Sequence, residues 1–122
     1  MKSTNLLVVL MLVFSSVLIN VPVNAQNTKS QQKTELQTSK FKVWGNCGTC
    51  KKNIEKAVKI EGVTKADWNK DTKIITVTFD SSKITLEQIQ KRIASAGYDT
   101  ELFNGNDKAY NKLDKCCQYD RK

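Results

Sequence analysis

The spacing of apolar side chains between residues 40 and 103 keeps switching between a period of two and a period of three to four, and this limits the fold more than any other feature. Phe41 and Val43 alternate with Lys40 and Lys42, which predicts a short half-buried strand. Cys50, Ile54, Ala57 and Val58 then fall at i, i+4, i+7 and i+8, the stripe of a helix that Gly62 brings to an end. Val63, Ala66 and Trp68 predict a second, somewhat irregular strand, and Asn69-Lys70-Asp71-Thr72 has the composition of a turn. Ile75, Val77 and Phe79 alternate with Thr76, Thr78 and Asp80, the clearest strand in the chain. Thr85 and Gln88 match a capping box, and Ile84 and Ile89 are placed for a hydrophobic staple. Leu86, Ile89, Ile93 and Ala96 form the stripe of this second helix, Gly97 stops it, and Tyr98 to Phe103 read as a last strand.

The order is β-α-β-β-α-β in about 64 residues, which predicts an α+β, ferredoxin-like sandwich: an antiparallel four-stranded sheet with two helices on one face. The flanks differ in character. Residues 1–25 carry Lys2, a nine-residue apolar run from Leu6 to Phe14, and Val23-Asn24-Ala25 as a cleavage site, the layout of a secretory signal peptide. A spanning helix needs roughly 20 apolar residues, so the mature chain is not expected to cross a membrane. Cleavage places it in the periplasm or outside the cell. Residues 26–39 hold one apolar side chain, Leu36, and read as a flexible polar leader. Residues 104–122 form a polar tail that contains Cys116 and Cys117.

Without residues 1–25 the chain has 97 residues, of which 32 are apolar, and 25 of those lie in residues 40–103. The net charge falls from +8 to +7 with the loss of Lys2. Both methionines and the only proline go with the signal, and the chain has no histidine. A Ser-His-Asp or Cys-His mechanism therefore has no base, and the expected activity is not that of an enzyme. A positive charge on this fold raises a nucleic-acid reading. RNA-binding modules of this architecture stack bases on sheet aromatics, whereas the third strand offers Thr76 and Thr78 on its outer face. No nucleic-acid partner is expected.

Cys47-Gly48-Thr49-Cys50 straddles the turn from the first strand into the first helix. Thiols at i and i+3 with small residues between them can aim both sulfurs at one point. The first helical turn supplies free N–H groups and a favourable dipole for a thiolate, and Lys51 and Lys52 add positive charge beside it. Thiolate-only ligation selects soft ions. A site of two such ligands suits a transferable ion, since a structural zinc site would take four. The alternative is a thiol-disulfide redox protein using the Cys47/Cys50 dithiol. Thioredoxin-type proteins set a cis-proline opposite the dithiol, and the mature chain has no proline.

The run Val43-Trp44-Gly45-Asn46-Cys47-Gly48-Thr49-Cys50, followed by Ile54-Glu55-Lys56-Ala57-Val58, resembles the heavy-metal-associated domain family. Glu61-Gly62-Val63-Thr64-Lys65-Ala66, Val77-Thr78-Phe79-Asp80 and Ala96-Gly97-Tyr98-Asp99 match in order and spacing, so the resemblance covers about residues 40–103. The family includes soluble copper chaperones and periplasmic mercuric-ion-binding proteins. It implies a βαββαβ fold, a metal ion held between Cys47 and Cys50, and hand-over by ligand exchange to a metal transporter or its soluble metal-binding domain. The expected ion is Cu(I), then Hg(II), with Zn(II) and Ag(I) as other soft candidates. The family's Gly-Met-Thr before the first cysteine is replaced here by Trp44-Gly45-Asn46, and Trp44 is the candidate to take over the core packing of that methionine.

Tyr98 is expected either close to the metal loop or only packed on the C-terminus of the second helix, and the turn at Lys70-Asp71 is expected at the metal-loop end. Lys51, Lys52 and Lys56 could form a basic rim for an acidic partner, against the plainer reading of a solvated helix face. Cys116 and Cys117 are neighbours with Cα atoms about 3.8 Å apart, too close for an ordinary disulfide with each other. Cys116 lies 13 positions beyond Phe103, far enough for the tail to fold back over the sheet. The expectation is that Cys116 or Cys117 adds thiolates to the Cys47/Cys50 site; a disulfide to another chain or to a motif cysteine is the rival.

Overall fold

A computed structural model describes residues 33–122. The signal peptide read at residues 1–25, and the leader as far as residue 32, lie outside them. Strand β1 (Leu36–Lys42) leads through a loop into helix α1 (Gly48–Ala57). Strands β2 (Val63–Trp68) and β3 (Ile74–Asp80) form a hairpin, and helix α2 (Leu86–Ser95) follows. The tail adds a single helical turn, α3 (Asp107–Tyr110), and a 3₁₀ turn at Lys115–Cys117. Among the described residues no helix is long and apolar enough to cross a membrane.

The sheet has the order β1-β3-β2 with both pairings antiparallel. Its central strand carries the strict alternation: Ile75, Val77 and Phe79 are buried, while Thr76 and Thr78 are half-buried on the outer face. There the hydroxyls of Thr38 and Thr78 meet across β1 and β3 at 3.0 Å. The irregularity expected of the second strand is a register shift between Val63 and Lys65. Ile54, Val58, Ile89 and Ile93 pack with the inner face of the sheet in one core. Burying each of these side chains stabilises the fold by about 1.5–3 kcal/mol relative to exposure. The capping box of α2 is formed: Gln88 N–H donates to the Thr85 hydroxyl at 3.2 Å, and Thr85 N–H donates to the Gln88 side chain at 3.0 Å.

Two boundaries differ from the sequence expectation. β1 begins at Leu36, inside the segment read as flexible leader, because β3 is long enough to pair Leu36 with Asp80 and Gln37 with Phe79. These positions of β1 are exposed and polar apart from Leu36, so no periodicity marks them. The fourth strand expected over Tyr98 to Phe103 is reduced to one antiparallel bridge, Val43 to Thr100. Thr100 N–H and the Phe103 carbonyl close a tight turn at 2.8 Å, and the Gln90 side chain takes the Leu102 N–H at 3.1 Å. Those groups are thereby withdrawn from a ladder, and the chain turns back toward the start of α1.

Candidate metal centre

The loop from β1 into α1 presents the cysteines. Cys47 occupies the N-cap position with an extended backbone, but its side chain makes no capping hydrogen bond, so the sulfur is free to turn away from the helix. Cys50 lies in the first turn of α1 and is fully buried. Its sulfur accepts the Asn46 N–H at 3.3 Å. The two sulfurs stand 3.6 Å apart, with Cys47 half-buried and so reachable from outside.

The tail brings the remaining thiols to the same place. Cys117, fully buried, has its sulfur 3.6 Å from that of Cys47, and the exposed Cys116 sulfur accepts from the Cys47 thiol at 3.1 Å. The sulfurs of Cys47, Cys50 and Cys117 all lie within 4.8 Å of one another, a donor set made only of soft sulfur. Cys116 and Cys117 face each other at 3.9 Å. Burial pushes the Cys47 thiol up, but hydrogen bonds from Cys116, the Cys50 backbone and the Cys117 and Cys50 thiols outweigh it and hold the group at about 6. Burial raises Cys117, and the hydrogen bond with Cys47 raises Cys116. The cluster thus contains one thiol that ionises early and two that keep their protons.

Trp68, read from the sequence as core alone, supports this loop. It is fully buried at the end of β2, and its indole N–H donates to the Val43 carbonyl at 3.1 Å. A Cβ at Gly45 would lie 3.0 Å from the Trp68 ring and 3.3 Å from the Cys50 Cβ, so the loop backbone rests directly on the indole. Trp44 does not take the methionine's place. It is only partly buried, with the Lys42 and Lys122 ammonium groups 4.6 and 5.6 Å from its ring centre. It packs against the edge of the core, while Trp68 from β2 lies directly beneath Gly45.

Tyr98 is fully buried against the cluster, and its hydroxyl accepts the Asn53 side-chain N–H at 3.0 Å. The hairpin turn beyond Asn69 shares this end of the domain, since Val43 N–H donates to the Lys73 carbonyl at 2.9 Å. Lys51 does not belong to an open basic rim. Its ammonium bridges Glu55 and Asp67, each at 2.5 Å, and donates to the Trp68 carbonyl at 2.8 Å, tying α1 to β2. Lys52 and Lys56 are exposed.

The polar tail is an ordered part of the centre. Asn106 N–H donates to the Ala94 carbonyl at 2.8 Å, and the Asn106 side chain caps α3. Beyond the cysteines, the buried Tyr119 hydroxyl accepts the Asp99 N–H at 2.7 Å and donates to the Gly97 carbonyl at 2.8 Å. The Tyr119 ring lies 5.8 Å from that of Tyr98, nearly parallel to it. Arg121 pairs with Asp99, only 1% exposed, at 2.9 Å. Gly97 makes the fit possible: its φ is +100°, and a Cβ there would come within 2.7 Å of the Tyr110 nitrogen. Asp99 carried a sequence signal only as the end of the matching segment Ala96-Gly97-Tyr98-Asp99, and Asn53, Tyr119 and Arg121 had none beyond the aromatic residues Tyr110 and Tyr119 in a largely polar tail.

Residues 46–99 match the family model described as "Heavy-metal-associated domain". The chain is 41% identical over 58 residues to the mercuric transport protein periplasmic component of Shewanella putrefaciens, covering 47% of this chain and 64% of that relative, just under two thirds. It is 40% identical over 55 residues to the copper chaperone CopZ of Staphylococcus aureus, covering 44% of this chain and 81% of CopZ. The N-terminal domain of a potential copper-translocating P-type ATPase from Bacillus subtilis, solved in a Cu(I)-loaded state, superposes with a TM-score of 0.52 at 27% identity. That match covers 60% of this chain and 94% of the ATPase domain. By its motif, its sheet and these relatives, the chain belongs to the heavy-metal-associated domain family.

Proposed function

We propose that the protein is an extracytoplasmic carrier of a soft metal ion, Cu(I) first and Hg(II) second, which holds the ion at Cys47 and Cys50 and passes it on by thiolate exchange. The observation that carries this reading is the pairing of one half-buried and one fully buried sulfur at 3.6 Å, at the start of a helix. Among the described residues there is neither His nor Met, so thiolate is the only soft donor available. The mercuric transport relative and the Cu(I)-loaded ATPase domain support the two ions named and a transporter as recipient.

Transfer proceeds by substitution at the ion. An incoming thiolate bonds to the ion, and the bond to Cys47, the outer sulfur, breaks. A second incoming thiolate then displaces Cys50, and both motif sulfurs are left free of the ion. No electron is transferred and no bond within a substrate is cleaved. Exposed Lys52, in the first half of α1, gives the site a positive neighbour for an acidic docking domain, and exposed Lys56 extends that charge along the helix.

The test is anaerobic Cu(I) titration of the reduced protein against a chromophoric chelator, run beside an insulin-reduction assay. Tight one-to-one binding that Cys47→Ser and Cys50→Ser each abolish is expected. Insulin reduction with turnover, without tight binding of a soft ion, would overturn the proposal in favour of a redox dithiol.

A further inference from the structure

We propose that Cys117 is a third ligand to the ion held by Cys47 and Cys50, delivered by the C-terminal tail acting as a clasp over the site. This rests on the soft-metal reading above and extends it to a part of the chain beyond Asp99, where the family match ends.

Sulfur geometry carries the inference. With metal–sulfur bonds of about 2.3 Å, as for zinc thiolates, a linear two-sulfur site needs its sulfurs about 4.6 Å apart and a trigonal three-sulfur site needs about 4.0 Å. Cys47 lies 3.6 Å from Cys50 and 3.6 Å from Cys117. The trigonal arrangement therefore asks each of these distances to open by about 0.4 Å, whereas the linear one asks the motif pair alone to open by about 1 Å. The trio already lies within a 4.8 Å span, which suits a closed three-sulfur shell.

The tail is also built to deliver this sulfur. Cys117 is held in a 3₁₀ turn by donation of its N–H to the Asp114 carbonyl at 2.7 Å. The chain is fastened on both sides of that turn: at Asn106 to the end of α2, and at Tyr119 and Arg121 to the Gly97–Asp99 segment. A polar, lysine-rich segment that places one thiol at 0% exposure against a cysteine pair uses three anchoring residues, Asn106, Tyr119 and Arg121, to do so. Cys116 has a different place. It is exposed, touches Cys47 alone of the motif pair, and stands outside the trio. The clasp makes the ion's donor set a trigonal one, suited to thiophilic ions that accept three sulfurs, and an incoming partner must open the tail or displace Cys47 to reach it.

The test uses the reduced full chain, titrated anaerobically with Cu(I) against a chelator, in Cys47→Ser, Cys116→Ser, Cys117→Ser and Cys117→Ala forms. Cys117→Ser and Cys117→Ala should each weaken binding at least tenfold while keeping one ion per chain, and Cys116→Ser should stay within twofold of the unchanged protein. Thiolate-to-Hg(II) charge-transfer absorption per bound ion should fall in Cys117→Ala by the share of one thiolate in three. This second readout separates a lost ligand from a loosened tail. Unchanged affinity and unchanged absorption in both Cys117 variants would overturn the clasp and leave the two-cysteine site standing. Undiminished binding by Cys47→Ser would overturn the site itself.

Discussion

Replacing Tyr119 by Phe removes one oxygen and isolates the latch that holds the tail. That oxygen serves two backbone groups, the Asp99 N–H at 2.7 Å and the Gly97 carbonyl at 2.8 Å, in a site where Tyr119 is 2% exposed. The ring, its contact with Tyr98 and all four thiols stay in place. Leaving a buried donor or acceptor unpaired costs about 1–3 kcal/mol each, so the substitution should weaken docking of the tail by about 2–6 kcal/mol. If the tail opens as a unit, exchange of its protected amides should accelerate at least about 30-fold and up to about 20,000-fold. The reporters are Cys117 N–H, bonded to the Asp114 carbonyl, and Tyr119 N–H, bonded to the Cys117 carbonyl. Amides of β3 should keep their protection, because the sheet does not depend on the tail. Native-state hydrogen exchange followed by NMR reads both sets at once. Exchange at Cys117 and Tyr119 within threefold of the unchanged protein would refute the latch.

Three further outcomes follow from the centre. Trp68→Ala should cost about 3–5 kcal/mol in urea unfolding, as for other buried aromatics, and Gly45→Ala about 1–3 kcal/mol through the 3.0 Å approach to the indole; costs below about 0.5 kcal/mol would show that the loop does not rest on this ring. Alkylation of Cys47, followed by mass spectrometry, should rise through pH 6 and level off by about pH 7, with the midpoint moving up in Cys116→Ser, because the Cys116 hydrogen bond helps to hold the thiolate; a midpoint near the ordinary thiol value of about 8.5 contradicts this. Asp99 feels burial, which raises it, but the hydrogen bonds from Arg121 and the Gly105 and Lys122 N–H groups outweigh this and hold it below the usual carboxylate range. Its folded form therefore binds fewer protons than its unfolded form, and its contribution is complete above about pH 4 and lost as pH falls through the folded value. Near-UV circular dichroism of the tyrosines should fade over that acidic range, and Asp99→Asn should flatten the profile; an unaltered profile in that variant contradicts the role of Asp99.

What the chain discloses by inspection is what its neighbours in sequence decide. Thr85 and Gln88 cap a helix three residues away, and Ile75, Val77 and Phe79 show their face by alternation. Cys47 and Cys50 are legible because both sit within one turn of a helix start. The rest depends on partners far along the chain. β1 extends to Leu36 because β3 supplies hydrogen-bonding positions as far as Asp80, and this leaves no mark on the exposed residues of β1. The last strand gives way to a turn because Gln90, on α2, takes the Leu102 N–H. Composition describes residues 104–122 as polar, yet a few long-range bonds from Asn106, Tyr119 and Arg121 order them. Trp68 was legible as a core residue, but its place beneath the metal loop follows from where β2 ends relative to Gly45.

X-ray absorption at the copper edge of the reduced, Cu(I)-loaded protein tests the central claim most directly, because it reads the atoms bound to the ion. The account predicts a shell of sulfur alone, with three sulfurs in the unchanged protein and two in Cys117→Ser. A first shell containing nitrogen or oxygen, or a sulfur count that Cys47→Ser and Cys117→Ser both leave unaltered, would contradict it.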